Sequence, residues 1–490
     1  MYVQSKYRQL RCKGCGSVGF KETTDSRWWL PGIVVLELDE PDSPRRIFDP
    51  TDELELQKLP VDASQLRKIV DPLLIKPPEW TFAFKQGAPP TEEDYKRFIT
   101  LRLQPDADVP AISRELRKVR GVRSAAGEPR LEPPRKRIPF YERKPEVPAA
   151  MLTGATEVPL LNEPLAVSGG ALGKSITVGV GAEQLSNQWY LFRSQADGFL
   201  QNGITGAGVV VADIDWGFKV DHQEFANDKI KFKHSTVTGG DDVSSATMQW
   251  HGTGTLGLIG AGDNNKGMLG FAPGADLWAI QAQSDNSPVD NSNWAKAIEE
   301  VRLTPSPGKR KVILVEAAAS ASRNVEASYY VRVPIKKAIE KDDCVVCVTA
   351  GNGGVNAGFD AEGHKIPPTG SILVGATQYG DIPSDIRRAD SNWGSRVVVS
   401  APGASSNDVT CCDCGVDRYR DNFGGTSGAA AKVAGAMALL LQAFPAVKNQ
   451  EIVEVMKTKM PQIATSDQPM GCFLDIKKLM DEVALFLSPP

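Results

Sequence analysis

No stretch of this chain reaches the roughly 18 consecutive apolar residues that a bilayer-spanning helix needs. The opening MYVQSKYRQLRCKGCGSVGF carries basic residues with no apolar run behind them, so a standard secretion signal is not expected either. The chain reads as soluble, with a cytoplasmic location and non-classical export both left open. Charge of one sign is equally lacking. The 56 Lys and Arg against 60 Asp and Glu leave a formal net charge of -4 over 490 residues, which excludes a nucleic-acid or membrane partner recruited by bulk charge. The eight cysteines are too few for a disulfide scaffold; they include Cys12 and Cys15 in CKGC, Cys344 and Cys347 in CVVC, and a local cluster in TCCDCG (Cys411, Cys412, Cys414). Zinc would require the fold to bring CKGC and TCCDCG together, so reduced thiols or one or two disulfides are the expectation. Histidine is scarcer still, with four in the whole chain, so any imidazole chemistry has few candidates.

What the chain does have is a change of texture along its length. Residues 1–90 mix short apolar runs such as WWLPGIVVLEL with many Pro and Asp, an irregular, partly sheet-forming region whose role the sequence does not show. Within 91–127, FITLRL has strand character, and DVPAISRELRKVRGVRSA puts Val109, Ile112, Leu116 and Val119 on one helical face. The Pro- and charge-rich EPRLEPPRKRIPFYERKPEVP opens a linker over 128–175 that a protease could reach. Over 176–460, short apolar runs bounded by Gly or Pro alternate with helical segments. That pattern predicts an α/β fold, a mostly parallel sheet flanked by helices on both faces, with ligands beyond the C-terminal strand ends. Residues 461–490 read as a helical extension in which Ile476, Leu479, Met480 and Val483 share a packing face.

Three groups in the alternating region could combine. Ser427 sits in GGTSG, where glycines costing about 1 kcal/mol each in helix propensity gain a plain helix nothing. A hydroxyl at such a turn becomes a nucleophile only with a base in reach. His222, His234 and His364 lie in polar, loop-like surroundings, whereas His251 opens HGTGTLGLIGAG at a helix start. An imidazole suits the role because its pKa, about 6.5, lets it take and return a proton near neutrality. A buried or capping histidine fits the same pattern. A carboxylate at the end of GVVVADID would orient the ring, and on spacing alone Asp213 and Asp215 compete equally. Asn352, in TAGNGG after the strand CVVCV, would bring an amide donor to the same sheet edge. With the Ser427 backbone N–H it could receive a developing oxyanion.

Taken in order, these stretches resemble the subtilisin-like serine proteases, the subtilases, whose chain order is aspartate, histidine, serine. VVVADIDWG is similar to the aspartate segment and selects Asp215 over Asp213; HGTGTLGLIGAGDNNKGMLGFAPGADLWAI is similar to the histidine segment. VVCVTAGNGG resembles the oxyanion segment, GGTSGAAAKVAGAMALLL the serine segment, and ADSNWGSRVVVSAPG adds support. The likeness covers roughly residues 180–450 and implies a serine endopeptidase cleaving protein or peptide substrates through Asp215, His251, Ser427 and Asn352. A catalytically idle subtilase fold that binds peptides, and an esterase, are the competing readings.

The same resemblance assigns the finer roles. KVILVEAAAS stands where the family has its cleft strand, so Glu316, Ala317, Ala318 and Ala319 are expected to line substrate, with Glu316 favouring basic or polar residues there. GDNNKGMLG is similar to a family calcium loop, which makes Asn264 and Glu224 the expected ligands of a structural calcium, with Lys266 counting against it. The chemistry itself requires no cofactor. The 91–127 segment resembles the family's inhibitory pro-region, which implies a zymogen whose pro-segment covers the cleft and is released by cleavage in the linker. Trp216, Gly254 and Ala431 stand where the family has Ser or Thr, His and Pro respectively.

Overall fold

The computed structural model describes residues 188–488 apart from 284–290, 320–321, 362, 379–385, 404–407, 422 and 464–466. Further toward the N-terminus it describes 29–38, 79–80, 98–103, 107–119, 122–129 and 131–132. Cys12 and Cys15, and the linker beyond Glu132, lie outside the described residues. The chain divides into two compact units, Met1–Gly127 and Glu128–Pro490.

The first unit holds a four-stranded sheet. Its strands β1 (Trp29–Leu38), β2 (Glu79–Trp80), β3 (Phe98–Arg102) and β4 (Val122–Pro129) run in the order β2-β3-β1-β4. Between β3 and β4 lies helix α1 (Val109–Leu116), capped by Asp108, whose Oδ1 accepts the Ala111 amide at 3.0 Å. Val109, Ile112, Leu116 and Val119 are all buried, as their spacing predicts.

The second unit opens with β5 (Leu131–Glu132) and is built on eight parallel strands: β6 (Val209–Asp215), β7 (Ile230–Ser235), β8 (Asp276–Gln281), β9 (Arg310–Val315), β12 (Val345–Thr349), β13 (Ile372–Thr377), β14 (Val399–Pro402) and β17 (Cys472–Phe473). The short β10 (Ala318–Ala319) and β11 (Arg323–Asn324) follow β9, and a hairpin of β15 (Thr410–Cys411) and β16 (Tyr419–Arg420) follows β14. The sheet order is β17-β14-β13-β12-β9-β6-β8-β7. From β6 the chain winds first toward β8 and β7 and then, from β9 on, the other way, so β6 and β9 flank the topological switch where such sheets place their sites. Every residue of β6, β12, β13 and β14 is buried. Their nearly unbroken apolar runs are what a sheet covered on both faces requires.

Helices α2 (Gln249–Gly260), α5 (Gly425–Ala443), α6 (Asn449–Thr458) and α7 (Ile476–Leu487) pack on one face with Val209, Val211, Leu277 and Leu314. Helices α3 (Asn291–Leu303) and α4 (Tyr329–Glu340) cover the other, against Val210, Ala212, Ile280 and Val315. The mostly parallel sheet with helices on both faces is thus present. It extends past the alternating region, since β17 joins the edge and α7 buries Ile476, Leu479, Met480 and Val483.

Helix α5 is buried almost all round, which explains its small residues. A Cβ on Gly435 would lie 2.5 Å from the Cβ of Phe271. An ion pair is threaded into that core. Lys432 is fully buried, and its Nζ donates to both Asp408 carboxylate oxygens at 2.8 Å and to the Pro402 carbonyl at 2.7 Å.

Candidate active site

Asp215 is the last residue of β6, with no exposed surface, at the C-terminal rim of the sheet. Its Oδ1 accepts the Trp216 amide at 2.6 Å and its Oδ2 lies 2.6 Å from His251 Nδ1. His251 is the third residue of α2 rather than its first, because the helix begins at Gln249. The imidazole is buried against Trp250 and Phe423, with ring centroids 5.3 and 5.5 Å away. Of the two competing aspartates, then, Asp215 reaches the imidazole. Asp213 instead accepts a short hydrogen bond from the Thr255 hydroxyl, one turn of α2 beyond His251. Burial, and next the Asp215 carboxylate, push the Asp213 carboxyl well above its ordinary range.

The glycines around Ser427 have a geometric reason. Gly424 is extended and Gly425 opens α5 at φ +75°, a left-handed conformation in which a side chain would also press on Asn352, 3.0 Å from its Oδ1. Ser427 is half-buried, the third residue of α5. Beside it, Thr426 donates both its amide, at 2.9 Å, and its hydroxyl, at 3.1 Å, to Asn352 Oδ1. With its oxygen so engaged, the Asn352 amide is held with Nδ2 turned the other way.

The loop carrying Asn352 is held from below by Asn392. Its Oδ1 accepts the Gly353 and Val355 amides at 3.0 Å, and its Nδ2 donates to the carbonyls of Ser322 and Ala350. In the sequence Asn392 carries no signal of its own beyond membership of the supporting stretch ADSNWGS. Gly254 is likewise explained, because a Cβ there would lie 2.6 Å from the Phe423 ring. Trp216 is buried edge-on against Trp294, centroids 5.6 Å apart.

The strand expected to line substrate divides into two parts. Ala318 and Ala319 form β10, antiparallel to β11 on one side and to β5 on the other, with Ala318 opposite Glu132 and Ala319 opposite Leu131. A short strand from the expected linker therefore lies along the strand expected to line substrate. Ala317 is buried and its carbonyl accepts the Thr349 hydroxyl at 3.0 Å. Glu316 is only 2% exposed and both carboxyl oxygens are shut from solvent, so the expected charge offered to a substrate side chain is not available. Its amide donates to the Ile214 carbonyl at 3.0 Å, which sets it beside Asp215. Burial first, then the Asp215 and Asp213 carboxylates, push its carboxyl well above the ordinary range, while the nearby Ser427 hydroxyl eases it down.

Glu224 and Asn264 do come together, but through donors. Glu224 Oε1 accepts the Tyr419 hydroxyl in a short hydrogen bond and the Met268 amide at 3.2 Å, and its Oε2 accepts Asn264 Nδ2 at 3.1 Å. Asn264 Oδ1 accepts the Lys266 amide. Calcium binds through several oxygens, and here the oxygens of these two side chains accept from N–H and O–H groups. Among the described residues no group of three or more acidic, His or Cys side chains gathers as a metal site. The cysteines Cys344, Cys347, Cys411 and Cys472 are buried thiols, and Cys412 pairs with Cys414 in a disulfide.

Comparisons with known proteins agree with this architecture. The model of the Subtilase family matches residues 206–472. The extracellular serine protease of Aeromonas sobria is 24% identical over 368 residues, 62% of this chain and 59% of its own length. Subtilisin DY of Bacillus licheniformis is 27% identical over 53% of this chain and 85% of its own. Among solved structures, fervidolysin from Fervidobacterium pennivorans, described as a keratinolytic enzyme related to subtilisin, superposes with a TM-score of 0.57 at 18% identity. That match covers 93% of this chain and 61% of fervidolysin, and it speaks to the fold. The present chain thus spans less than two thirds of the Aeromonas protease and of fervidolysin. With the matched segment running from the turn before β6 to the edge strand β17, this chain belongs to the subtilase family.

Proposed function

We propose that the chain is a serine endopeptidase whose Ser427 attacks the scissile carbonyl of a protein substrate. The observation that carries this reading is the buried 2.6 Å contact between His251 Nδ1 and Asp215 Oδ2. It fixes the proton on Nδ1 and leaves Nε2 as the nitrogen that exchanges a proton with the serine. His251 takes the hydroxyl proton as the Oγ–carbon bond forms, Asp215 stabilises the resulting imidazolium, and Asn352 Nδ2 receives the oxyanion. His251 then passes the proton to the leaving amine, and water hydrolyses the acyl-enzyme by the reverse path. Once β5 is displaced, Ala318 and Ala319 would pair with the substrate main chain, the role an exposed sheet edge serves in peptide recognition.

The pairing of Leu131–Glu132 with Ala319–Ala318 supports a chain held in check by its own N-terminal part. In this reading 91–127 is a pro-region, the segment after it occupies the cleft, and activity follows its removal. Purified wild-type and Ser427→Ala chains, incubated and read by mass spectrometry, test both statements together. Wild type should cut itself within 128–175 while Ser427→Ala stays intact. Identical fragments from both would defeat the reading.

A further inference from the structure

Asp213 does not reach the imidazole, yet it is fully buried two residues before Asp215 on β6, so its side chain leaves the strand on the same face, toward α2. Its level of the sheet offers a carboxyl little, because the residues paired with it on β8 and β9 are Ala279 and Leu314. Its Oδ1 makes no hydrogen bond, and its Oδ2 accepts the Thr255 hydroxyl of α2. A buried carboxyl with one oxygen unsatisfied costs free energy, whereas a valine would simply extend the apolar run of β6. Stability therefore gives no reason for a carboxyl here.

Two strand carboxyls and two helix side chains form a ladder at this point. Asp215 Oδ2 meets His251 Nδ1 at 2.6 Å, and Asp213 Oδ2 meets the Thr255 hydroxyl. Two residues along β6 span about 6.6 Å, and four along α2 span about 6 Å, so the rungs are matched in spacing on both elements. They also adjoin, since Thr255 Oγ1 lies 3.4 Å from Asp215 Oδ2. The same hydroxyl is anchored to its own helix, 3.0 Å from the carbonyl of Gly252, the residue after His251. A slide of α2 by one residue, about 1.5 Å, would break both rungs together.

We propose that Asp213 and Thr255 are positioning residues for the catalytic imidazole: their hydrogen bond locks the register of α2 against β6 and so fixes where His251 Nε2 stands relative to Ser427. The bond between Asp215 and His251 alone acts as a hinge, because a ring held at Nδ1 can still swing its far nitrogen as the helix shifts. A second bond one turn farther along the helix removes that freedom. The precision matters, since displacing a reacting group by about 1 Å costs on the order of 10² in rate.

This inference rests on the hydrolase reading, and the experiment separates the two. The full chain is prepared as wild type, Thr255→Val, Thr255→Ser, Asp213→Leu, Asp213→Asn and the double variant Asp213→Leu/Thr255→Val. Each is labelled at Ser427 with a fluorophosphonate, assayed for kcat and KM on a peptide substrate well below its unfolding midpoint, and melted. A wild type that neither takes label nor cleaves fails the hydrolase reading, and this one with it. Otherwise Thr255→Val, which keeps the shape and loses the hydroxyl, and Asp213→Leu should each lose on the order of 10²-fold in kcat with little change in KM. Thr255→Ser keeps the hydroxyl and Asp213→Asn keeps an oxygen to accept it, so both should stay close to wild type. The double variant should lose no more than either single one, because the same rung is broken only once. A Thr255→Val chain with a lowered melting midpoint but undiminished kcat makes the pair merely structural and overturns the proposal, as do losses that add in the double variant. Should Thr255→Val not fold, Thr255→Ala takes its place and must show the same loss in kcat.

Discussion

His251 and Asp215 meet at 2.6 Å with both groups buried, and the carboxylate's other oxygen is fixed by the Trp216 amide. The carboxylate is an acceptor on both sides, which forces the imidazole to carry its proton on Nδ1. Asp215→Asn keeps the shape but can offer the ring an N–H, selecting the wrong tautomer. We predict a fall in kcat on the order of 10⁴, the loss this change brings in a serine protease of known mechanism, with an unchanged unfolding midpoint. Steady-state kinetics on a peptide substrate and a thermal melt check both halves.

Asn352 is held by Thr426 through its oxygen, so its amide nitrogen is preorganised rather than recruited by substrate. Asn352→Leu should lower kcat by about 10² to 10³ and leave KM close to wild type, because the donor acts on charge that appears only in the transition state. A change confined to KM would contradict this role.

The Lys432–Asp408 pair is fully enclosed, and burial acts against both charges: it pushes Asp408 up to about 6 and Lys432 down. Lys432→Met strands Asp408 in the core and should cost roughly 3–5 kcal/mol. Adding Asp408→Asn should recover part of that loss, since the stranded charge is gone. Urea unfolding of the two variants measures the difference.

Glu224 gives stability a pH dependence of defined sign. Burial is the main cause that raises its carboxyl from the ordinary 4.5 to about 7, so the native state binds this proton more tightly than the unfolded chain. The contribution is complete below about pH 4.5 and disappears as pH rises through about 7. Glu224→Gln, always neutral, should lose less stability over that window than wild type in thermal melts. Added calcium should shift the midpoints of wild type and Glu224→Gln equally, because the Glu224 oxygens are already engaged by Tyr419, Met268 and Asn264.

Much of this site is legible in the sequence, for a physical reason: catalytic groups at strand ends leave sharp local signatures, a carboxylate closing an apolar run or a serine between glycines. The α1 face and the α7 face are legible because burial repeats at helical spacing. What local sequence cannot carry is the choice among chemically equal candidates. Asp213 and Asp215 are separated on residues alone only by which one reaches His251, a contact across 36 positions. The calcium expectation for Glu224 and Asn264 likewise fits its loop. What the loop does not announce is that Tyr419, 195 positions away, donates its hydroxyl to the Glu224 carboxylate. Glu316 reads as a cleft charge until its burial is known, and Asn392 announces nothing until four backbone groups are seen around it.

The most direct measurement is mapping the covalent adduct left by a fluorophosphonate on the chain after removal of residues 1–175. We expect a single modified peptide carrying the adduct on Ser427, formed by wild type and lost in His251→Ala. A chain that stays unmodified at Ser427, or that reacts there as fast without His251, would contradict the account.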